Sequence, residues 1–258
     1  MKLLRELYDY REMIFSLVQR DLKGRYKGSL LGFLWTFLNP LLQLCVYTLV
    51  FSVIMRNGIE DFYLFLFVAL VPWMFFSACV ASAAGLIRAQ QDMVKKIYFP
   101  REVLPVAFVT SQFINMFYSL LVVLAVLMIA GKGINIFAVL SLPIIMVIEY
   151  VMALGIALIT SAITVYFRDM EYLLGIITMA WQFLTPIFYS VDMVPARLMP
   201  VFNLNPMTSV IIAYRDILYY KQLPKMETLI QAIICGILLL AAGLFVFGRL
   251  KRHFAEEL

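Results

Sequence analysis

The sequence predicts an all-α integral membrane protein with six transmembrane helices, an N-terminal amphipathic interface helix and two short re-entrant helices between the fifth and sixth spans. Three observations predict it. Of 258 residues, 64% are hydrophobic and only 14% charged, whereas a water-solvated domain is about half apolar and a quarter charged. Apolar runs longer than about 18 residues, enough to cross hydrocarbon, recur along the chain. The basic residues concentrate in alternate connecting segments, as they do when a chain threads a bilayer repeatedly.

Taken in order, residues 3–22 read as an amphipathic helix. Leu3, Leu7, Ile14, Leu17, Val18 and Leu22 fall near one face, with Arg5, Glu6, Asp9, Glu12, Gln19 and Arg20 mostly opposite. So many charges forbid a crossing, so the helix is expected to lie along the membrane surface. The basic stretch Lys23, Arg25, Lys27 follows. The spans are expected at 30–55, 62–86 (with Pro72 inside), 106–130, 136–166 (interrupted by Pro143 and Glu149), 173–189 and 229–248. A polar turn precedes the second span, and Gly131-Lys132-Gly133 turns the chain after the third. Between the second and third spans, 88–105 carries Arg88, Asp92, Lys95, Lys96, Arg101 and Glu102. Arg168, Asp169 and Glu171 form a compact charged turn, and a charged tail follows the last span.

The segment 190–222 is neither a good span nor a polar loop. Prolines at 195, 200 and 206 interrupt it, and Asn205-Pro206 reads as a helix start, Asn capping and Pro in the first turn. Val210, Ile211, Tyr214, Ile217 and Leu218 then make an apolar stripe beside Arg215 and Asp216. Backbone entering a bilayer must be helical or buried in protein. Two short helices dipping in from outside are therefore expected; helices resting on the outer surface are the alternative.

Six spans put both termini on one face. That face holds fifteen of the 21 Lys and Arg residues, and the excess belongs in the cytoplasm. The net charge of +5 is thus a topological signal, and no nucleic-acid partner is expected. The start does not read as a cleavable signal peptide, because charged residues continue through Lys27 with no short apolar stretch ending at a cleavage site.

Little in the chain suggests enzyme chemistry. There is no G-x-x-x-x-G-K-[ST] loop, so ATP hydrolysis is not expected from this chain. The single histidine, His253, lies in the tail, leaving no material for a His-based triad or a zinc site. Cys45, Cys79 and Cys235 lie in apolar segments without metal-ligand spacing and read as small hydrophobes. No catalytic residue, bound metal or resident cofactor is expected. Glu149 is the one acidic residue deep in a span, which marks it as a structural hydrogen-bond partner or a proton-coupling group.

Trp35, Tyr63, Trp73 and Tyr189 sit near span ends, where aromatic belts form. Tyr47, Phe75, Phe76, Trp181, Phe183 and Phe188 are candidates to line a path, since aromatic faces suit sugar rings. Packing in the core or against lipid is the alternative. The charged segment 88–105 can dock a soluble partner or serve only to hold topology.

Four motifs in register resemble the ABC-2 permeases of polysaccharide exporters, including those for O-antigen, teichoic acid and capsular glycans. They are Arg25-Tyr26-Lys27-Gly28-Ser29-Leu30-Leu31-Gly32 with Trp35 and Asn39-Pro40, and Lys96-Ile97-Tyr98-Phe99-Pro100-Arg101-Glu102 with Pro105. The others are Tyr166-Phe167-Arg168-Asp169 with Thr185-Pro186-Ile187-Phe188-Tyr189, and Asn205-Pro206 followed by Arg215. The resemblance covers essentially the whole chain.

It implies the ABC-2 exporter fold and a homodimer bound to two copies of a separate ATPase subunit, which would hold ATP and Mg. The complex would move a lipid-linked glycan across the bacterial plasma (inner) membrane, with both termini cytoplasmic. ATPase coupling would fall to the N-terminal helix and the first cytoplasmic segment: Arg5, Arg20, Arg88, Lys95, Lys96, Arg101 and Glu102. The first and fifth spans would line the channel with Tyr47, Trp181, Phe183, Phe188 and Tyr189. Arg168 and Asp169 would sit at the cytoplasmic entrance, and 190–222, with Asn205, Pro206 and Arg215, would form an external gate. Any carbohydrate-recognition module is expected on the ATPase chain. A permease for a drug or small lipid shares this topology, and a secondary transporter is the alternative of a different class.

Overall fold

The helix over Phe62–Ala81 is apolar on every face, and a helix of that kind is stable only when neighbours surround it. The computed structural model, which describes residues 2–26, 28, 30–54 and 58–258, places it at the centre of the bundle, with 78% of its apolar window buried. Lys27 and Ser29 of the first motif, and Arg56 in the turn before this helix, lie outside the described residues. All regular structure among the described residues is helical.

In chain order the elements are α1 (Lys2–Asp9), α2 (Arg11–Tyr26), α3 (Trp35–Thr48), α4 (Phe62–Ala81), α5 (Leu86–Ala89), α6 (Gln91–Lys96) and α7 (Val103–Ile129). They continue as α8 (Ile136–Val139), α9 (Leu142–Tyr166), α10 (Met170–Leu184), α11 (Met199–Leu204), α12 (Pro206–Leu218), α13 (Met226–Leu250) and α14 (Phe254–Glu257). A 3-10 turn leads into α3 and a π-helical stretch, Leu49–Ile54, extends it. Among the described residues, five segments are long and apolar enough to span: Gly32–Ile54, Phe62–Ala81, Val103–Ile129, Ile136–Tyr166 and Met226–His253. The sixth, α10, has 15 residues, or about 22 Å at 1.5 Å per residue, short of the roughly 30 Å hydrocarbon thickness. It starts earlier than the sequence suggests and stops at Thr185-Pro186, because Pro186 disfavours helix at the residue before it.

Other boundaries differ for equally local reasons. The amphipathic helix runs on to Tyr26; only Tyr10 separates α1 from α2, and bonds from Tyr10 N to Glu6 O and from Ile14 N to Tyr10 O carry the ladder across it. Its apolar stripe packs on protein: Leu7, Tyr10, Met13, Ile14 and Leu17 abut a cluster containing Ile87, Val94, Phe99, Val103 and Phe254. Asp21 fixes the far end by accepting from Ser111 of α7. Pro143 does not interrupt a helix; it stands in the first turn of α9, where its missing N–H has no partner to lose. The segment 88–105 is two short helices, an extended stretch and the start of α7.

Among the described residues, the most extensive helix–helix contact joins α9 and α13. Apolar surface gains little by leaving lipid, so membrane helices associate by close packing through small residues. A Cβ on Gly243 would lie 2.4 Å from Gly155 O, and one on Gly155 would lie 2.4 Å from the Leu239 carbonyl carbon. The two backbones touch directly.

The connections sort into two ends. At the end carrying the termini, Arg20 Nη2 donates to Gln90 Oε1 at 3.0 Å, Arg88 pairs with Glu171 at 2.7 Å, and Tyr166 OH donates to Leu250 O at 2.8 Å. At the other end Lys132 pairs with Asp61 and Glu60, Tyr219 OH donates to Glu60 O at 2.6 Å, and Asn135 Nδ2 donates to Lys221 O at 2.9 Å. The Asp61 hydrogen bond, with Glu60, holds the Lys132 ammonium above the usual lysine range. Gly131 and Gly133 both take positive φ to present Lys132 there. The segments that share a face by charge count therefore share an end in space.

Candidate functional site

Polar side chains inside apolar helices are costly, so their distribution is informative. Six Asn or Gln residues lie within the long apolar segments and α10: Asn39, Gln43, Gln112, Asn115, Gln182 and Gln231. The first five line one cleft of about 900 Å³ between α3, α4, α7 and α10. Asn39 and Gln43 share a face of α3 at i,i+4, and Gln112 and Asn115 share one of α7 at i,i+3. Gln43 Nε2 donates to Asn39 Oδ1 at 3.3 Å, and Gln182 Nε2 to Tyr47 OH at 3.4 Å. At the termini end Arg25 closes the row, bonding Asp21 at 2.8 Å and donating from Nη1 to Gln112 Oε1 at 3.1 Å.

The cleft runs toward an aromatic cluster. Phe188, 3% exposed, stacks on Phe51 at 4.7 Å and Phe183 at 5.4 Å, with Tyr47 edge-on at 5.0 Å. Of the aromatic path candidates, then, Tyr47, Phe183 and Phe188 are brought together. Trp181 turns away: it packs against Phe76 at 5.2 Å and Trp73 at 6.4 Å, and its Nε1 donates to Asn205 Oδ1 at 2.9 Å. Tyr189 OH donates to Phe183 O at 2.9 Å, tying the loop back on α10.

That loop, 185–189, is held from α12. Asn205 accepts from Met207 N, capping the helix, and donates to Leu184 O at 3.2 Å and Thr185 Oγ1 at 3.0 Å. Pro206 is the first residue of α12. Arg215 is buried, lies over the Phe65 ring at 3.5 Å, and donates to Ile187 O at 2.7 Å and Tyr189 O at 3.3 Å. Two of the residues read as an external gate are thus fasteners of the aromatic loop. Glu149, fully buried on α9, accepts from Tyr214 OH at 2.7 Å and holds α12 at the residue next to Arg215.

The residues read as ATPase contacts divide. Arg5, Lys95 and Lys96 are exposed, Lys96 near Asp92 at 3.5 Å. Arg20 and Arg88 are engaged in the bonds described above. Arg101 and Glu102 face inward: Arg101 donates to Lys251 O and lies over the Phe254 ring at 5.7 Å, and Glu102, 4% exposed, pairs with Lys251. They join the segment to the chain's own tail. Arg168 and Asp169 are exposed just before α10, with Arg168 facing Arg88, Gln91 and Glu257 across a cavity of about 290 Å³.

Known proteins with similar sequences decide the family. Residues 12–219 match the family described as ABC-2 type transporter. The chain belongs to it. This ABC-2 protein is 39% identical to the O-antigen export system permease protein RfbA of Myxococcus xanthus, over 100% of this chain and 99% of that one. It is 31% identical to an O-antigen export system permease protein RfbA of Klebsiella pneumoniae, over 96% and 95%. Against the polysialic acid transport protein KpsM of Escherichia coli the identity is 24%, over 78% of this chain and 79% of the relative. The ABC-2 match includes α2 from its second residue on, the cleft, the aromatic loop and α12. The sequence singles out the aromatic loop, and Asn205 and Arg215 as gate residues rather than as its fasteners; the amides go unmarked there, although their i,i+3 and i,i+4 spacing is a readable signal.

Proposed function

We propose that the chain is the membrane-spanning permease subunit of an ATP-driven exporter that carries a lipid-linked polysaccharide from the cytoplasmic to the outer face of the plasma membrane. The observation that carries this reading is full-length similarity to O-antigen export permeases at 39% and 31% identity. A polar cleft leading to an aromatic cluster accords with cargo whose sugar rings offer both hydroxyls and apolar faces. ATP and Mg belong to a separate ATPase subunit, which meets α1, α2, Lys95 and Lys96 at the cytoplasmic end. Both termini lie on that side, with Arg168 and Asp169 near the entrance.

A homodimer is part of the proposal. Only 11% of the apolar window of Gly32–Ile54 is buried, and α10 buries only Leu174 and Thr178. Two such faces brought together would enclose a path lined from both copies. Binding of ATP drives the cycle only if it stabilises one state of this assembly over the other, and docked helices supply that difference. Deleting the chain in its host, with the ATPase intact, is expected to trap finished glycan on the cytoplasmic face. Undiminished surface glycan in the deletion strain refutes the reading.

A further inference from the structure

The apolar side chains of the interior form two clusters. Ile87, Val94, Phe99 and Phe254 centre the one at the termini end, and α1 and α2 pack on it through Leu7 and Ile14. Helices α7, α9 and α13 contribute to this cluster and to the main core. Helix α10 contributes to the main core through Met170, Leu174 and Trp181, and among the described residues it places none in the other cluster. What joins α10 to the termini end is an ion pair. Glu171, the one charged residue of α10, accepts from Arg88 Nη2 of α5 at 2.7 Å. The residue before Arg88, Ile87, is fully buried in the termini-end cluster, so Arg88 travels with that body. Gly85, just before α5, leaves room for the carboxylate: a Cβ there would stand 3.0 Å from Glu171 Oε1. Arg20 Nη2 donates to Gln90 Oε1 at 3.0 Å and ties α2 to the same segment.

The rear of the segment is held differently. Glu102 pairs with Lys251 beyond α13, and α13 lies backbone to backbone on α9, so those two helices shift only together. Within the protomer α10 has no such restraint, burying only Leu174 and Thr178 along its 15 residues. A displacement of the segment is therefore taken up by α10 before α9 or α13.

We infer that Arg88 and Glu171 are positioning residues for export: their ion pair makes the position of α10 follow that of the segment the ATPase meets. The inference rests on the export reading above and names the joint through which one path-lining helix is moved. Arg88, read from the sequence as an ATPase contact, thus acts inside the permease. Both side chains are partly open to solvent, 31% and 41% exposed, and pairs so exposed add little to the stability of a fold. What the pair alters is the balance between two positions of α10, so its effect is read in the coupling of hydrolysis to export and not in melting temperature.

The test reverses the charges. Surface glycan is measured in the deletion strain carrying each variant, and ATP hydrolysis and melting temperature in the purified permease–ATPase complex. Arg88→Glu and Glu171→Arg each turn an attraction into a repulsion, and each is expected to lower surface glycan about fivefold at unchanged melting temperature and undiminished ATP hydrolysis. Arg88→Glu with Glu171→Arg restores the attraction with its polarity exchanged and is expected to bring export back to within about twofold of the unaltered chain. Recovery is incomplete because Arg168 and Glu257, which line the cavity beside Arg88, favour the native polarity. Should a reversal lower the melting temperature, Arg88→Gln and Glu171→Gln take its place: each is expected to weaken export less, and the two together no more than either alone, as a shared pair requires. Absence of rescue in the double reversal overturns the inference, since a residue acting alone on cargo or ATPase is not repaired by a change at its neighbour. So does full export in either single variant, or loss of the assembled complex in Arg88→Glu alone, which returns Arg88 to the ATPase surface. If the strain carrying the unaltered chain displays no more glycan than the strain without it, the export reading falls; if it does and the single variants match it, the joint alone falls.

Discussion

The Arg215 guanidinium donates to the carbonyl of Ile187 at 2.7 Å from a position only 3% exposed. One residue of α12 thereby sets the backbone of the loop whose next side chain, Phe188, fills the aromatic cluster. A charged hydrogen bond contributes about 1.5–3 kcal/mol, and Arg215 makes two, to Ile187 and Tyr189. Arg215→Met is therefore expected to raise the population of the released loop by a hundredfold or more. Thiol labelling reads this directly. In a chain whose three native cysteines are replaced by serine, Ile187→Cys should resist a polar maleimide, because Ile187 is fully buried. Adding Arg215→Met should make it reactive; equal reactivity in both backgrounds shows that the clamp does not hold the loop.

Glu149 fastens the same helix through the neighbouring residue, Tyr214. Its Oε2 accepts from Tyr214 OH, while Oε1 has no partner among the described residues. Tyr214→Phe removes that donor and leaves a buried acceptor unsatisfied, at a cost of about 1–3 kcal/mol. Glu149→Gln keeps a carbonyl oxygen for Tyr214 and is expected to change the melting temperature in detergent far less. It should also leave export intact, as a structural partner does. Export lost in Glu149→Gln at unchanged melting temperature would instead make the carboxyl part of the transport chemistry.

The contrast between these two residues shows what a sequence can yield. Hydropathy, charge sidedness and capping locate the spans, the two ends and the start of α12, because lipid imposes a length and a polarity that local composition must obey. Asn205-Pro206 is legible because a cap acts on the two residues that follow it. What Arg215 touches is not legible, since Ile187 lies 28 residues away and only the tertiary fold brings its carbonyl there. The inward turn of Arg101 and Glu102 was hidden likewise: a charge beside a span reads as solvated until the tail is seen to cover it. The cleft was half legible. Its amides fall in helical register on α3 and on α7, but their convergence depends on how those helices pack against α4 and α10.

The α9–α13 contact gives a sharp test of packing. A Cβ at Gly155 or Gly243 would meet backbone at 2.4 Å, and backbone cannot rotate aside as a side chain can. Gly155→Ala or Gly243→Ala should separate the helices and cost upwards of about 3 kcal/mol. Gly248, on the same α13, meets nothing within 4 Å, so Gly248→Ala is expected to be neutral or slightly stabilising through helix propensity. Detergent-solubilised yield and melting temperature should drop for the first two and hold for the third. Three equal values would contradict the direct backbone contact.

The tail and the charged segment before α7 supply the last prediction, because two kinds of basic residue stand there side by side. Lys95 and Lys96 are exposed, so Lys95→Ala with Lys96→Ala should barely alter stability, surface charges contributing about 0–1 kcal/mol. If they meet the ATPase, the change should separate ATP hydrolysis from glycan export in the assembled complex. Lys251 behaves differently, for its ammonium is the partner of Glu102, which is 4% exposed and has a second oxygen without a partner among the described residues. Lys251→Met strands that charge, and breaking a buried pair from one side costs about 3–5 kcal/mol. The melting temperature of the isolated permease should therefore fall for Lys251→Met, with or without the ATPase, and recover in part when Glu102→Gln is added. Loss of coupling in Lys95→Ala with Lys96→Ala at unchanged melting temperature assigns those two residues to the partner's surface. A common fall in melting temperature for both sets would mean that the exposed lysines, too, serve only the fold.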